Sequence, residues 1–224
     1  MAQTLSLYEK EYLMKLKVIF STAISILFLL SCSPTKTTTN NLTDWVRDSV
    51  SKQLGITLPL DALSIVQRFQ FDTVHPAIIA TAKVDQLNGG IFIYQWVDNK
   101  YQLRYKKSQP VYNVEYSSGR HLIFESGFTG TGQKNTQFYL VEMAPEFSTE
   151  IWSGPASVYN FTSVAPYHSV DGSVQLNSLD ESFIYTKINR TFLHTEVDLS
   201  KPDSIVSHSE ILKFQDLPAY KQPK

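Results

Sequence analysis

An all-β fold carrying one N-terminal helix is the class this 224-residue sequence predicts, as an antiparallel meander, a propeller-like array or a β-sandwich. Three observations support it. From Leu63 onward apolar side chains recur at every second position, the period of a strand with one covered face. The runs that carry this alternation are rich in aromatic and β-branched residues, which suit a pleated, half-buried surface. No second long helical pattern lies between them, so the strands connect directly to one another and βαβ units have no place.

Before those strands the chain changes character three times. Met1 to Leu13 carries mixed charges and precedes a second methionine, Met14, from which a signal peptide of ordinary form would start; an extended N-terminal region of the signal peptide is the other reading. Lys15 and Lys17 flank an apolar run, Val18 to Leu30, interrupted only by Ser21, Thr22 and Ser25. As a helix this run rises only about 20 Å, short of the roughly 30 Å hydrocarbon core, so it fits the apolar region of a signal peptide better than a transmembrane span. Ser33 to Asn41 then has no large apolar side chain to draw it into a core. Residues 32–41 read as a flexible tether with a reach of roughly 15–18 Å.

The expected domain covers residues 42–220 and opens with a helix over 43–54. Leu42, Trp45, Val46, Val50 and Leu54 share one stripe, while Asp44, Arg47, Asp48 and Lys52 lie off it. Asn41 or Thr43 can cap its start, and Gly55 suits the position after its end. The charges cancel, unlike those of a membrane-surface helix, so Trp45 is expected to pack on its own domain. Strand runs follow at 64–71, 77–84, 90–97, 101–106, 111–116, 120–126, 136–143, 148–152, 157–164, 182–188, 191–199 and 205–214. Asp98-Asn99-Lys100 and Asn189-Arg190 read as tight hairpin connections, and Gly127 to Gly132 as a hairpin loop.

The one cysteine, Cys32, ends the apolar run in the sequence Leu29-Leu30-Ser31-Cys32. This resembles the lipobox of bacterial lipoproteins. The resemblance is confined to the signal region. It implies that residues 1–31 are removed and that the Cys32 sulfur takes a diacylglyceryl group. The protein would then be held in the cell envelope, outside the cytoplasm, by the membrane insertion of that lipid. It would also account for a cysteine with no partner in a secreted chain.

A weaker pattern concerns the domain itself. Ile91-Phe92-Ile93-Tyr94 recurs as Ser182-Phe183-Ile184-Tyr185, with Gln137-Phe138-Tyr139-Leu140 between them, spacing the phenylalanines by 46 and 45 residues. Val111-Tyr112-Asn113 recurs as Val158-Tyr159-Asn160 after 47. A period near 45 is similar to that of β-propeller repeats. Asp85 to Gly90 is faintly similar to the calcium loop of integrin-type propellers, but it has an extra residue and lacks most of the carboxylates, so no calcium ion is expected.

Function is less legible. The net charge of −1 is spread without a basic face, which argues against nucleic acid as a partner. Ser49-Val50-Ser51-Lys52 matches one motif of the penicillin-recognising enzymes without the others. The five histidines, at 75, 121, 168, 194 and 208, have no metal-ligand spacing, and no metal or other cofactor is expected. The leading expectation is a non-enzymatic module binding a protein or envelope component, with tyrosine and tryptophan as available anchors. The alternative is an extracytoplasmic hydrolase whose active site is dispersed in sequence. That would require two or more of His121, Glu125, His168 and Asp171 to meet in one pocket.

Overall fold

A computed structural model describes residues 38–70, 76–116, 120–145, 147–162, 164–177, 181–194, 198 and 200–219. The compact unit Thr43–Lys224 carries every strand. Helix α1, Thr38–Leu54, starts five residues before the expected position, so Thr38–Asn41, read as the end of the tether, take helical backbone. Asn41 and Thr43 therefore lie inside the helix rather than capping it. Once a helix is nucleated each further residue adds a hydrogen bond, so a polar tract without glycine or proline readily continues it. Its stripe behaves as expected. Val46 and Val50 are fully buried, and Trp45 lies against Tyr94 and Tyr101 at ring separations of 5.2 and 5.6 Å.

Among the described residues eleven strands follow in meander order: β1 Leu63–Gln70, β2 Pro76–Lys83, β3 Gly89–Val97, β4 Lys100–Lys107, β5 Val111–Tyr116, β6 His121–Gly130, β7 Gln133–Met143, β8 Ser148–Asn160, β9 Tyr167–Asn177, β10 Ser182–Phe192 and β11 Ser204–Lys213. The first four make one antiparallel sheet and the other seven a second, each in chain order. The fold is thus the all-β antiparallel meander with one N-terminal helix. The strands divide as four and seven, and the recurrent phenylalanines mark no constant unit: Phe92 to Phe138 advances four strands, from β3 to β7, and Phe138 to Phe183 only three, from β7 to β10.

Two hairpin turns form where their residues allow positive φ. Asp98 (φ 51°) and Asn99 (φ 61°) link β3 to β4, and Gly132 (φ 74°) closes β6 onto β7. The expected glycine-rich loop is shorter than its sequence indicates, because Gly127 to Gly130 belong to β6. Asn189-Arg190 is not a turn. It lies inside β10, with Asn189 opposite Val170 on one side and Val206 on the other. Partners on both sides outweigh the local turn preference of asparagine. For the same reason the runs at 148–152 and 157–164 merge into β8, which bulges twice against β7. β9 has no counterpart among the strands expected from the sequence: it is polar and interrupted by Gly172, yet it pairs with β10 along its full length.

Among the described residues, two cores hold the layers together. The first lies between the sheets and joins Ile79, Ile91 and Ile93 to Leu122, Phe124, Tyr139, Val141 and Met143. Tyr105, half-buried on β4, packs against it; its hydroxyl donates to Glu150 Oε2 on β8 at 3.3 Å, and burial raises its pKa. Lys107 Nζ pairs with the same oxygen at 3.2 Å and stands 3.7 Å from the centre of the Tyr139 ring. The second core lies on the other face of β6 and β7. Ile123 and Leu140 meet Phe183 and Tyr185 of β10, with Val174 and Leu176 of β9 packed beside them. A single 3₁₀ turn, Phe214–Asp216, adds Phe214, and Leu217 follows.

The second core requires the seven-stranded sheet to curl. β8 and β9 pair only from Ser157–Asp171 to Tyr159–Ser169, after which β9 leaves β8. At the departure point Gly172 lies so close to Pro155 that an added Cβ would overlap the Pro155 carbonyl oxygen. That oxygen also accepts a hydrogen bond from the Tyr185 hydroxyl at 2.8 Å. Gly172→Ala should therefore destabilise the domain by about 1–3 kcal/mol, as overpacking does, lowering Tm by roughly 2–12 °C. Gly130→Ala, whose methyl would meet only Gln133 at 3.5 Å, should leave Tm unchanged in the same calorimetric scan.

Candidate functional site

The lipobox cysteine, Cys32, lies outside the described residues, as does His75. The four residues of the dispersed-site expectation fall on two strands, His121 and Glu125 on β6 and His168 and Asp171 on β9. Each is engaged locally. His121 is buried under Phe214, their ring centres 3.9 Å apart. Its register partner across the hairpin, Glu142, is fully buried and ion-paired with Arg120. Glu125 accepts a hydrogen bond from Thr136 Oγ1 at 2.6 Å and pairs with Lys134 at 3.3 Å. Asp171 pairs with Arg190 and accepts from Ser157 Oγ at 3.5 Å. His168 is exposed, with Nδ1 3.2 Å from Thr191 Oγ1.

These contacts limit the chemistry. A general acid or base must reach the proton it moves, and His121 is too deeply covered to do so. His168 opens into a cleft of about 350 Å³, and Glu125 lines a different one of about 160 Å³. Neither cleft holds a second member of the four. Among the described residues no group of three histidine, cysteine or acidic side chains could hold a metal ion. Asp85 is committed to its own turn: Oδ1 accepts from the Leu87 and Asn88 amides and Oδ2 from the Asn88 side chain, each at 2.7 Å. The Asn88 side-chain bond, followed by the two amide bonds, lowers its pKa. In the Ser-x-x-Lys match, Ser49 is half-buried on α1 and Lys52 is exposed.

The larger cleft is the better-formed site. It lies where the β6–β7 turn meets the end of β8 and the start of β9. Phe128, Tyr159 and Tyr167 supply aromatic surface, and Gln133, Asn135 and Asn160 supply amides. Behind it the aromatics support one another: Phe161 stacks on Tyr159 at 5.1 Å and meets Tyr167 and Phe192 edge-on at 5.6 and 5.8 Å. The Phe161 amide donates to the Gly132 carbonyl at 2.8 Å, fixing the turn against the strand end. Pro166 also lines the cleft. Such a surface recognises by stacking and hydrogen bonding.

Sequence reasoning did not assemble this cleft, although two stretches it singled out contribute to it. Val158-Tyr159-Asn160 was visible as a repeat, and Gly127 to Gly132 as a loop. The tryptophans serve packing more than display: Trp152 meets Phe183 and Tyr185 at 4.8 and 5.0 Å, and Trp96 meets Tyr101 at 4.9 Å. No protein-family model, curated protein or solved structure matches the chain. The fold and cleft define an antiparallel β domain with an aromatic and amide-lined surface site.

Burial, and secondarily the charge of Arg120, lowers the His121 pKa from 6.5 to about 4. Between those values the unfolded chain binds a proton at this position and the folded chain does not. Its contribution to stability is therefore complete above pH 6.5 and is lost progressively as the pH falls toward 4. In urea unfolding across this range, His121→Gln should show a flatter decline than wild type. Parallel declines would place the acid sensitivity elsewhere.

Proposed function

We propose that the chain is a lipid-anchored, extracytoplasmic β-rich module that binds a protein or envelope component without catalysing a reaction. The observation that carries the binding half is the aromatic and amide-lined cleft, whose side chains suit recognition by stacking and hydrogen bonding. The separate engagement of His121, Glu125, His168 and Asp171 supports this reading over the dispersed hydrolase. The anchoring half rests on the resemblance of Leu29-Leu30-Ser31-Cys32 to a lipobox.

The anchor has an energetic rationale. One acyl chain holds a protein to a bilayer only marginally, whereas two hold it stably, at about 0.8 kcal/mol per buried methylene. A diacylglyceryl group on Cys32 supplies two without help from a chain whose net charge is only −1. Cells expressing the protein should incorporate a clickable fatty acid into it, and Cys32→Ser should remove both the label and the membrane fraction. Label and membrane fractionation unchanged in Cys32→Ser would refute the anchor.

A further inference from the structure

Strand β11 is an unprotected edge. It pairs with β10 from Ser182–Lys213 to Thr191–Ser204, and no described strand pairs with its other side. Nearly all its side chains are exposed, with Ile205, Val206 and Ile211 at 60%, 61% and 70%. Proteins usually guard such an edge with cations, prolines or bulges. One of the two outer strands of the first sheet, β4, follows that rule with Lys100, Arg104, Lys106 and Lys107. β11 has no proline and no bulge against β10, and its one lysine, Lys213, stands at its end.

From this edge we infer that the protein forms a two-fold dimer by antiparallel pairing of β11 with β11 of a second copy, centred on His208. A two-fold axis perpendicular to a sheet keeps every side chain on its own face. Facing residues must therefore be an even number of positions apart, so the central residue faces its own copy across the axis. Centring on His208 sets Ile205 against Ile211 of the second copy and Ser207 against its Ser209, and the symmetry repeats both pairs. The isoleucines then extend an apolar row already present, since Ile211 faces Ile184, itself 39% exposed, on β10. Centring on Ser209 would instead set Ile205 against Lys213 and Ile211 against Ser207, and would match only Val206, which meets Glu210 in the first register, with Leu212, already packed against the second core. Apolar and β-branched cross-strand pairs stabilise a ladder, so the His208 register is the complementary one. The strand adds backbone hydrogen bonds along its length, the strand-addition mode of association.

Sedimentation velocity of the full chain in non-ionic detergent, over a concentration series, tests this. The wild type should show a monomer–dimer equilibrium. Ile205→Lys and Ile211→Glu, each alone, should weaken it by roughly tenfold or more, with an unchanged circular dichroism spectrum. The Ile205→Lys/Ile211→Glu double variant should restore it, because position 205 faces position 211 of the second copy and the new charges are opposite. A wild type that stays monomeric throughout would overturn the proposal and leave the edge to a strand of another protein. A dimer indifferent to both single variants, or a double variant that stays dissociated, would overturn it as well.

Discussion

The β6–β7 hairpin is buried on both faces, and the other layers rest on one face or the other. Leu122, Phe124, Tyr139, Val141 and Met143 point to the four-stranded sheet, while Ile123 and Leu140, from the alternate positions, point to the curled half of the seven-stranded one. A strand covered on one side alternates apolar with polar. One covered on both sides must be apolar at successive positions, as Leu122-Ile123-Phe124 and Tyr139-Leu140-Val141 are. Truncating any of these side chains to alanine removes packing that nothing on the far side replaces, a loss of about 2–5 kcal/mol for a leucine or isoleucine. β3 shows the same double coverage one layer out, with Ile91 and Ile93 in the first core and Tyr94 beneath Trp45.

This arrangement explains where the polar chemistry lies. The carboxylates of the hairpin are held inside or beside the cores and paired there. Glu142 meets Arg120, and Glu125 meets Thr136 and Lys134. Breaking a buried ion pair costs far more than an exposed one contributes, so removing one partner of these pairs would destabilise the hairpin. The accessible groups collect instead at the strand ends, where the β6–β7 turn, Tyr159 and Tyr167 form the larger cleft.

Much of the fold was legible because local period reflects local burial. The stripe of Trp45, Val46 and Val50 gave the helix, and the alternation through Tyr101 to Lys106 gave β4. β9 was not legible, since its residues are polar and Gly172 interrupts them; β10 along its whole length holds it in place. Asn189-Arg190 misled for the opposite reason, a local turn preference overridden by partners on both sides. The cleft could not be read at all. Phe128, Tyr159 and Tyr167 come from three strands, and periodicity carries no information about which strand ends meet.

The dependence of the structure on β6 and β7 can be measured directly by native-state hydrogen exchange, resolved by residue. The slowest amides should be those of Leu122 to Phe124 and Tyr139 to Val141, exchanging only with global unfolding, while those of β11 exchange earlier by local opening. Slowest exchange in β10 and β11, with β6 and β7 opening first, would contradict the account.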